Sequence, residues 1–354
     1  GVEGRIEPGA AQASELMGHI TAVRAYVANL RGDAARAIEM AALTEELLPG
    51  QHLNAHGMAA YALAETYFAR DDIESAIQAS LRMLEVGIAL DRLLIVVTAL
   101  CDLASAKKVQ GKLHQTGEYY DRARQWMVEK RGLDSRVRSA YQAGLADLKF
   151  QCNQLDDAQE HAAMAIEYCQ RFGVPSEMVS AYITLMRVLQ ARGDTEGALA
   201  ALRHAEEIMQ SHHIRLAAKI TLNASRVTQW LAVGDVETAS RWAEPCSGGS
   251  ELEQIALARL RLAEGRAADA QRLLERQLAL AEAGGRTSRS IQILGLLALA
   301  LEAQNRPDEA DATLSQALSL ARLEGHLRLF LDLGWPLVEL LKRCAAQSAA
   351  LPVA

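Results

Sequence analysis

The chain has 354 residues, 50% of them hydrophobic but only 5% aromatic, with 37 basic side chains against 44 acidic ones and a formal net charge of −7. A core of alanine and aliphatic side chains favours helices packed at short distance, and a net acidic surface argues against direct nucleic-acid binding by this segment. The longest apolar run, around Leu93 to Leu100, is too short to cross a bilayer, and the N-terminus lacks the layout of a signal peptide, which excludes a membrane protein.

The five cysteines, Cys101, Cys152, Cys169, Cys246 and Cys344, are odd in number and contain no CxxC, so reduced thiols in a cytoplasmic protein are expected. Along the chain a turn residue is followed five positions later by a small one. The pairs are Gly32/Ala37, Asp71/Ala76, Gly111/Thr116, Asn153/Ala158, Gly193/Ala198, Gly234/Ala239, Gly265/Ala270 and Asn305/Ala310. The interval is about 40 residues, except for the shorter step from Gly234 to Gly265, and this is the scale of a solenoid repeat. Leucine stands eight positions before the turn at Leu63, Leu103, Leu145, Leu185, Leu257 and Leu297, and alanine seven before it at Ala25, Ala64, Ala104, Ala146, Ala258 and Ala298.

Each unit therefore reads as helix A, a tight turn and helix B. Glycine, asparagine or aspartate tolerates the positive φ that ends helix A, and Asp33, Asp72, Asp194, Asp235 and Asp308 favour the start of helix B. The small residue lets the two axes approach, with the leucine filling the space beside it. The expected fold is an all-α superhelical solenoid of eight antiparallel helix pairs, with the A helices lining a concave face. Residues 1–17 form an N-terminal extension, 18–322 the repeat array, and 323–354 a capping helix and tail. The run Glu244-Pro245-Cys246-Ser247-Gly248-Gly249-Ser250 cuts the sixth B helix short and places a loop or hinge near 245–250.

This pattern is similar to the tetratricopeptide repeat, whose period is about 34. Together with Glu324-Gly325-His326-Leu327-Arg328-Leu329-Phe330-Leu331-Asp332-Leu333-Gly334, it resembles the sensor domain of the large ATP-binding LuxR-family regulators, the MalT-like proteins. That family carries a phrase close to E-G-x-x-R-x-F-x-D-x-G after its repeats. Leu333 departs from it where an acidic residue is common, and Trp335-Pro336 is unusual. In such regulators a nucleotide-binding module precedes the repeats and a helix-turn-helix domain follows them. The sequence holds no GxxxxGK[ST] loop, and too few residues follow Gly334 for a DNA-binding domain. The resemblance thus implies the sensor and oligomerisation part of a longer transcriptional activator, whose flanking NTPase and DNA-binding domains would be its partners. A role for Arg328, Phe330 and Asp332 in coupling sensor to effector domain is likewise implied by the resemblance, and a capping helix that seals the last repeat is the structural alternative.

No nucleophile, acid and base gather as catalysis requires, so an enzyme is not expected, nor is a cofactor. His52 and His56, four apart, are read as a solvated helix start rather than metal ligands, and His212-His213 in the same way. Tyr120, beside Tyr119 and Trp126, is read as core. Helical spacing back from each turn places a stripe on the concave face. It comprises Tyr26 and Asn29 in the first unit, Tyr61, Glu65 and Phe68 in the second, and Asp102, Ser105 and Lys108 in the third. Asp147 and Phe150 follow in the fourth, Arg187 and Gln190 in the fifth, and Thr228 and Arg259 beyond. Mixed charge with aromatics suits a sugar, a peptide or another neutral-to-zwitterionic effector; a peptide or protein partner held without any small molecule is the alternative.

Overall fold

The computed structural model describes residues 10–130, 136–243 and 249–350, and among these the chain is helical with no strand. Eight antiparallel pairs follow one another: α1 (Ala10–Leu30) with α2 (Ala34–Leu47), α3 (Leu53–Ala69) with α4 (Ile73–Ala89), α5 (Leu93–Val109) with α6 (Leu113–Glu129), and α7 (Val137–Gln151) with α8 (Leu155–Phe172). Then come α9 (Pro175–Ala191) with α10 (Thr195–Ser211), α11 (Leu216–Ala232) with α12 (Val236–Ala243), α13 (Glu251–Ala263) with α14 (Ala267–Ala283), and α15 (Thr287–Ala303) with α16 (Pro307–Ala321). A four-residue α17 (Arg328–Leu331) and α18 (Trp335–Ala350) close the array.

All eight turns share one mechanism. Gly32, Asp71, Gly111, Asn153, Gly193, Gly234, Gly265 and Asn305 each take positive φ, between 58° and 81°. The following N–H then reaches the carbonyl five residues back, as Asp33 N does Ala28 O and Arg306 N does Leu301 O. This satisfies a carbonyl that the end of helix A would otherwise leave bare. Asp33, Asp72, Asp194 and Asp235 accept an N–H at the start of helix B, from Arg36, Ser75, Gly197 and Thr238. The small residue five beyond the turn is buried in every pair, from Ala37 to Ala310, with Thr116 filling the place in the third.

The leucines behave differently from expectation. Leu103 and Leu297 are buried, but Leu63, Leu145, Leu185 and Leu257 are only partly so, whereas the alanines beside them (Ala64, Ala146, Ala258) are enclosed. Position seven before the turn sits under helix B; position eight lies on the flank of helix A, where a long side chain keeps one edge in solvent. His56 also corrects the sequence reading. It is 1% exposed, with Nδ1 2.9 Å from Glu45 Oε1 and Nε2 3.2 Å from the Pro49 carbonyl, so it locks the link between the first two pairs rather than starting a helix in water. His52 turns away toward Glu15 and His19. Tyr120 is core, 3% exposed. The sixth B helix, α12, has only eight residues; most of the hinge expected at 245–250 lies outside the described residues.

The coil closes on itself after about five repeats. The C-terminal ends of early A helices meet the N-terminal ends of later ones. His213 Nε2–H, just before α11, donates to the Leu30 carbonyl at the end of α1. Arg286 donates to the Asp71 carbonyl at 3.1 Å, while Glu251 N, starting α13, donates to Asp71 Oδ2 at 3.2 Å. Ser288 Oγ caps the Lys108 carbonyl at 2.5 Å, His326 Nε2–H the Gly111 carbonyl at 2.9 Å, and Arg328 donates to Asn153 Oδ1 at 3.3 Å. Each of these donors meets the C-terminal end of an early A helix, where bare carbonyls and the helix dipole both favour it.

Candidate ligand-binding groove

This closure turns the concave face into a groove of about 1510 Å³, walled by A helices of both coils and by the segment from Arg328 to Pro336. Of the side chains placed on the concave stripe, Tyr26, Tyr61, Phe68, Asp102, Ser105, Lys108, Asp147, Arg187, Gln190, Thr228 and Arg259 line it. Three do not. Asn29 spends its Oδ1 on Thr66, and Glu65 is drawn to Arg215 at 2.7 Å. Phe150 is buried at 1% because the guanidiniums of Arg187 and Arg328 stack on its ring, 4.2 and 4.7 Å from the centroid. The ring's negative face attracts both cations, and they hide it from the groove.

One pole of the groove is cation-rich. Asp147 takes Lys108 on one oxygen and Arg187 on the other, the latter at 3.0 Å. Burial alone would raise the Asp147 carboxyl, but Lys108 and Arg187 outweigh it and hold it at about 2. Arg187 also reaches Asp332 at 3.4 Å, and Asp332 pairs with Arg328. Arg259 donates to the Asp332 carbonyl at 3.2 Å. Burial lowers the basicity of Arg259, against Asp332, and of Arg289, against Glu251 and Asp71, and the charge of Arg187 lowers both further.

The other pole is acidic. Arg215 bridges Glu65 at 2.7 Å and Glu177 at 3.0 Å, with Asp102 beside them. Burial, reinforced by Glu65 and Glu177 against Arg215, pushes the Asp102 carboxyl well above the usual carboxylate range. Between the poles the walls are mainly apolar, with Ile183, Met186, Ile255 and Leu296 among them.

Arg328 and Asp332, expected along one side of a single closing helix, do pair, but that helix is broken into α17 and α18 at Gly334, whose φ is 79°. The break lets both side chains face the groove, while Phe330 is buried beneath them. Sequence reading missed Glu177 and Arg289, which also line it. Both lie sixteen positions before their turns, as do Val137 and Ile95, so the stripe runs one helical turn nearer the N-terminus than position thirteen. Arg215, in the link before α11, carries no repeat position that would flag it.

Apart from the groove, Glu15, His19 and His52 bring three metal-capable atoms together among the described residues, two of these side chains being exposed. No helix among the described residues is long and apolar enough to cross a membrane.

Solved structures share the fold. A Rap protein complexed with Competence and Sporulation Factor superposes with a TM-score of 0.69 at 14% identity, over 90% of this chain and 88% of that one. The APC/C hetero-tetramer Cut9-Hcn1 gives 0.59 at 13% identity, over 90% of this chain and 57% of the other. No curated protein sequence matches. The sequence profile of the MalT-like TPR region matches residues 18–347, from the middle of α1 to near the end of α18. Since that match spans nearly the whole chain, the chain belongs to the MalT-like TPR region family.

Proposed function

We propose that the chain is the signal-sensing, protein-interaction and oligomerisation region of a cytoplasmic LuxR-family ATP-dependent transcriptional activator, and that an effector occupies the groove. One observation carries this reading: the groove is walled by both coils at once, Lys108 and Asp147 from the first and Arg259 and Asp332 from the second. An effector that touches both coils binds their closed arrangement better than a parted one, and so shifts the population toward it. The closed coil then presents the surface that flanking domains and other copies recognise. Arg328, Phe330 and Asp332 couple the two events, because Arg328 both lines the groove and caps Asn153. The chain works by binding and carries out no catalysis of its own.

The experiment is a thermal-unfolding assay with the fraction of host lysate below about 1 kDa, run on the wild type and on Thr228→Trp, which narrows the groove from one wall. A stabilisation lost in Thr228→Trp supports the reading; equal shifts in both, or none in either, defeat it. A second reading, a scaffold that holds a peptide or protein segment without any small molecule, draws support from the Cut9-Hcn1 assembly, a protein complex built on the same fold. It expects the lysate shift to reside in the macromolecular fraction instead.

A further inference from the structure

Resting on the groove being an effector site, we propose that its occupant is a zwitterion: an oxyanion, carboxylate or phosphate, held by Arg259 and Arg289, with a cationic donor group about 9 Å away at Asp102. Charge is the first argument. At the cationic pole Lys108, Arg187, Arg259, Arg289 and Arg328 face Asp147 and Asp332, with Glu251 and Asp71 also acting on Arg289. Glu251 is committed to Arg286 through two hydrogen bonds, and counting Arg286 the cations still outnumber the carboxylates by six to four. Such an excess of cations in a deep, mostly apolar groove is costly unless an anion joins it.

Unsatisfied polar atoms are the second. Among the described residues five buried side-chain polar atoms lack a partner, and three of them, Asp102 Oδ2, Arg289 Nε and Arg328 Nε, belong to residues that line this one groove. Arg289 makes no hydrogen bond or ion pair among the described residues, and Arg259 has only a backbone carbonyl. Buried polar atoms without partners are rare in folded chains; these three are shut off from the groove by their own neighbours, whereas the terminal guanidinium nitrogens of Arg289 have no hydrogen-bond partner among the described residues and are the groups that an oxyanion in the groove would meet. A planar guanidinium suits an oxyanion with two oxygens.

Spacing is the third. Asp102 and Lys108 lie six residues apart on α5, a rise of about 9 Å at 1.5 Å per residue. Ser288, next to Arg289, caps the Lys108 carbonyl, which brings Arg289 to the Lys108 end of that span. At the opposite end Asp102 sits with Glu65 and Glu177, which share the single cation Arg215. An extended tripeptide with free ends spans about 10 Å, so its ammonium and carboxylate match the two poles.

The test is isothermal calorimetry on the whole chain with four probes: trialanine, its C-terminal amide, its N-acetyl form and inorganic phosphate. Free trialanine is expected to bind, and the amide and the acetylated form each to bind at least tenfold more weakly. Arg259→Gln and Arg289→Gln lower trialanine affinity at least tenfold and abolish the cost of amidation, while Asp102→Asn abolishes the cost of acetylation. Phosphate that displaces trialanine supports the proposal and assigns the oxyanion site to phosphate-bearing ligands too; phosphate that does not, beside a bound trialanine, assigns it to carboxylates. Unchanged unfolding midpoints in Arg289→Gln show that lost binding is not lost folding. Equal binding of the amide, equal affinity in the arginine variants, or no binding of any probe overturns the proposal. If the lysate fraction still stabilises the wild type but not Thr228→Trp, the groove reading survives that failure; if it does not, both fall.

Discussion

Arg286 and Glu251 form a buried two-bond pair, at 2.9 and 3.2 Å, in which the same guanidinium also caps the Asp71 carbonyl of the preceding coil. Both side chains are under 10% exposed, so each depends on the other for its solvation. Removing one partner of such a pair typically costs about 3–5 kcal/mol, because the survivor is left charged and unpaired. Arg286→Met should lower stability by that order in urea unfolding, whereas the double variant with Glu251→Leu should recover much of the loss. A single variant as stable as the wild type would remove this pair from the closure of the coil.

Ala198, fully buried five residues beyond Gly193, sets the distance between α9 and α10. Ala198→Leu inserts a side chain where the axes meet and should cost about 1–3 kcal/mol. Gly193→Ala forces a Cβ into φ of 81° and should cost about 1–2 kcal/mol through the backbone alone. Melting curves of the two variants separate packing from turn strain.

Arg289 makes no hydrogen bond or ion pair among the described residues, and only the longer-range attraction of Glu251 and Asp71 offsets its desolvation, so its removal should help folding. Arg289→Leu is expected to raise stability by about 1 kcal/mol, since it relieves the desolvation of an unpaired guanidinium and puts an aliphatic side chain against the apolar wall. A fall in the melting midpoint would show that the arginine has a structural task.

Two carboxyls predict opposite responses to pH. Asp147 is held at about 2 in the folded chain, below the ordinary value near 4. Its contribution is present above the unfolded value and is lost as pH falls from about 4 toward 2. Asp102 is raised instead, by burial and by Glu65 and Glu177 against Arg215, so it costs stability once pH rises above the unfolded value. In denaturant titrations Asp102→Asn should stabilise the chain at pH 7 and lose that advantage below about pH 4; Asp147→Asn should destabilise at pH 7 and converge on the wild type in acid.

The repeat was legible because its cause is local. A left-handed turn admits few residue types, and a close helix approach admits only small ones, so Gly32, Asn153 and Ala198 announce themselves in a single chain. The closure of the coil was not legible, since it joins His213 to Leu30 and Arg286 to Asp71, pairs set by accumulated rotation over five repeats rather than by any short pattern. For the same reason Phe150 was placed in the groove: its own helix points it there, and only Arg187 from the next pair and Arg328 from α17 cover it. Arg289 escaped because the first turn of a helix lies beyond the stripe that ordinary repeats use, yet it enters the groove once α15 meets the end of α5.

The hydrogen bonds from Ser288 to Lys108 and from His326 to Gly111 give this chain something that an open row of helix pairs lacks. In an open row, stability is a sum over adjacent units, and either end can fray without news reaching the other. Here the last units hold the first, so melting of α17 withdraws Arg328 from Asn153 and from the ring of Phe150 in the fourth pair. Fraying at one terminus is thereby felt in the interior of the opposite half, and a fragment cut at Ser211 would leave the carbonyls of Leu30, Asp71 and Gly111 to water. The molecule should come apart as a unit rather than from its tips.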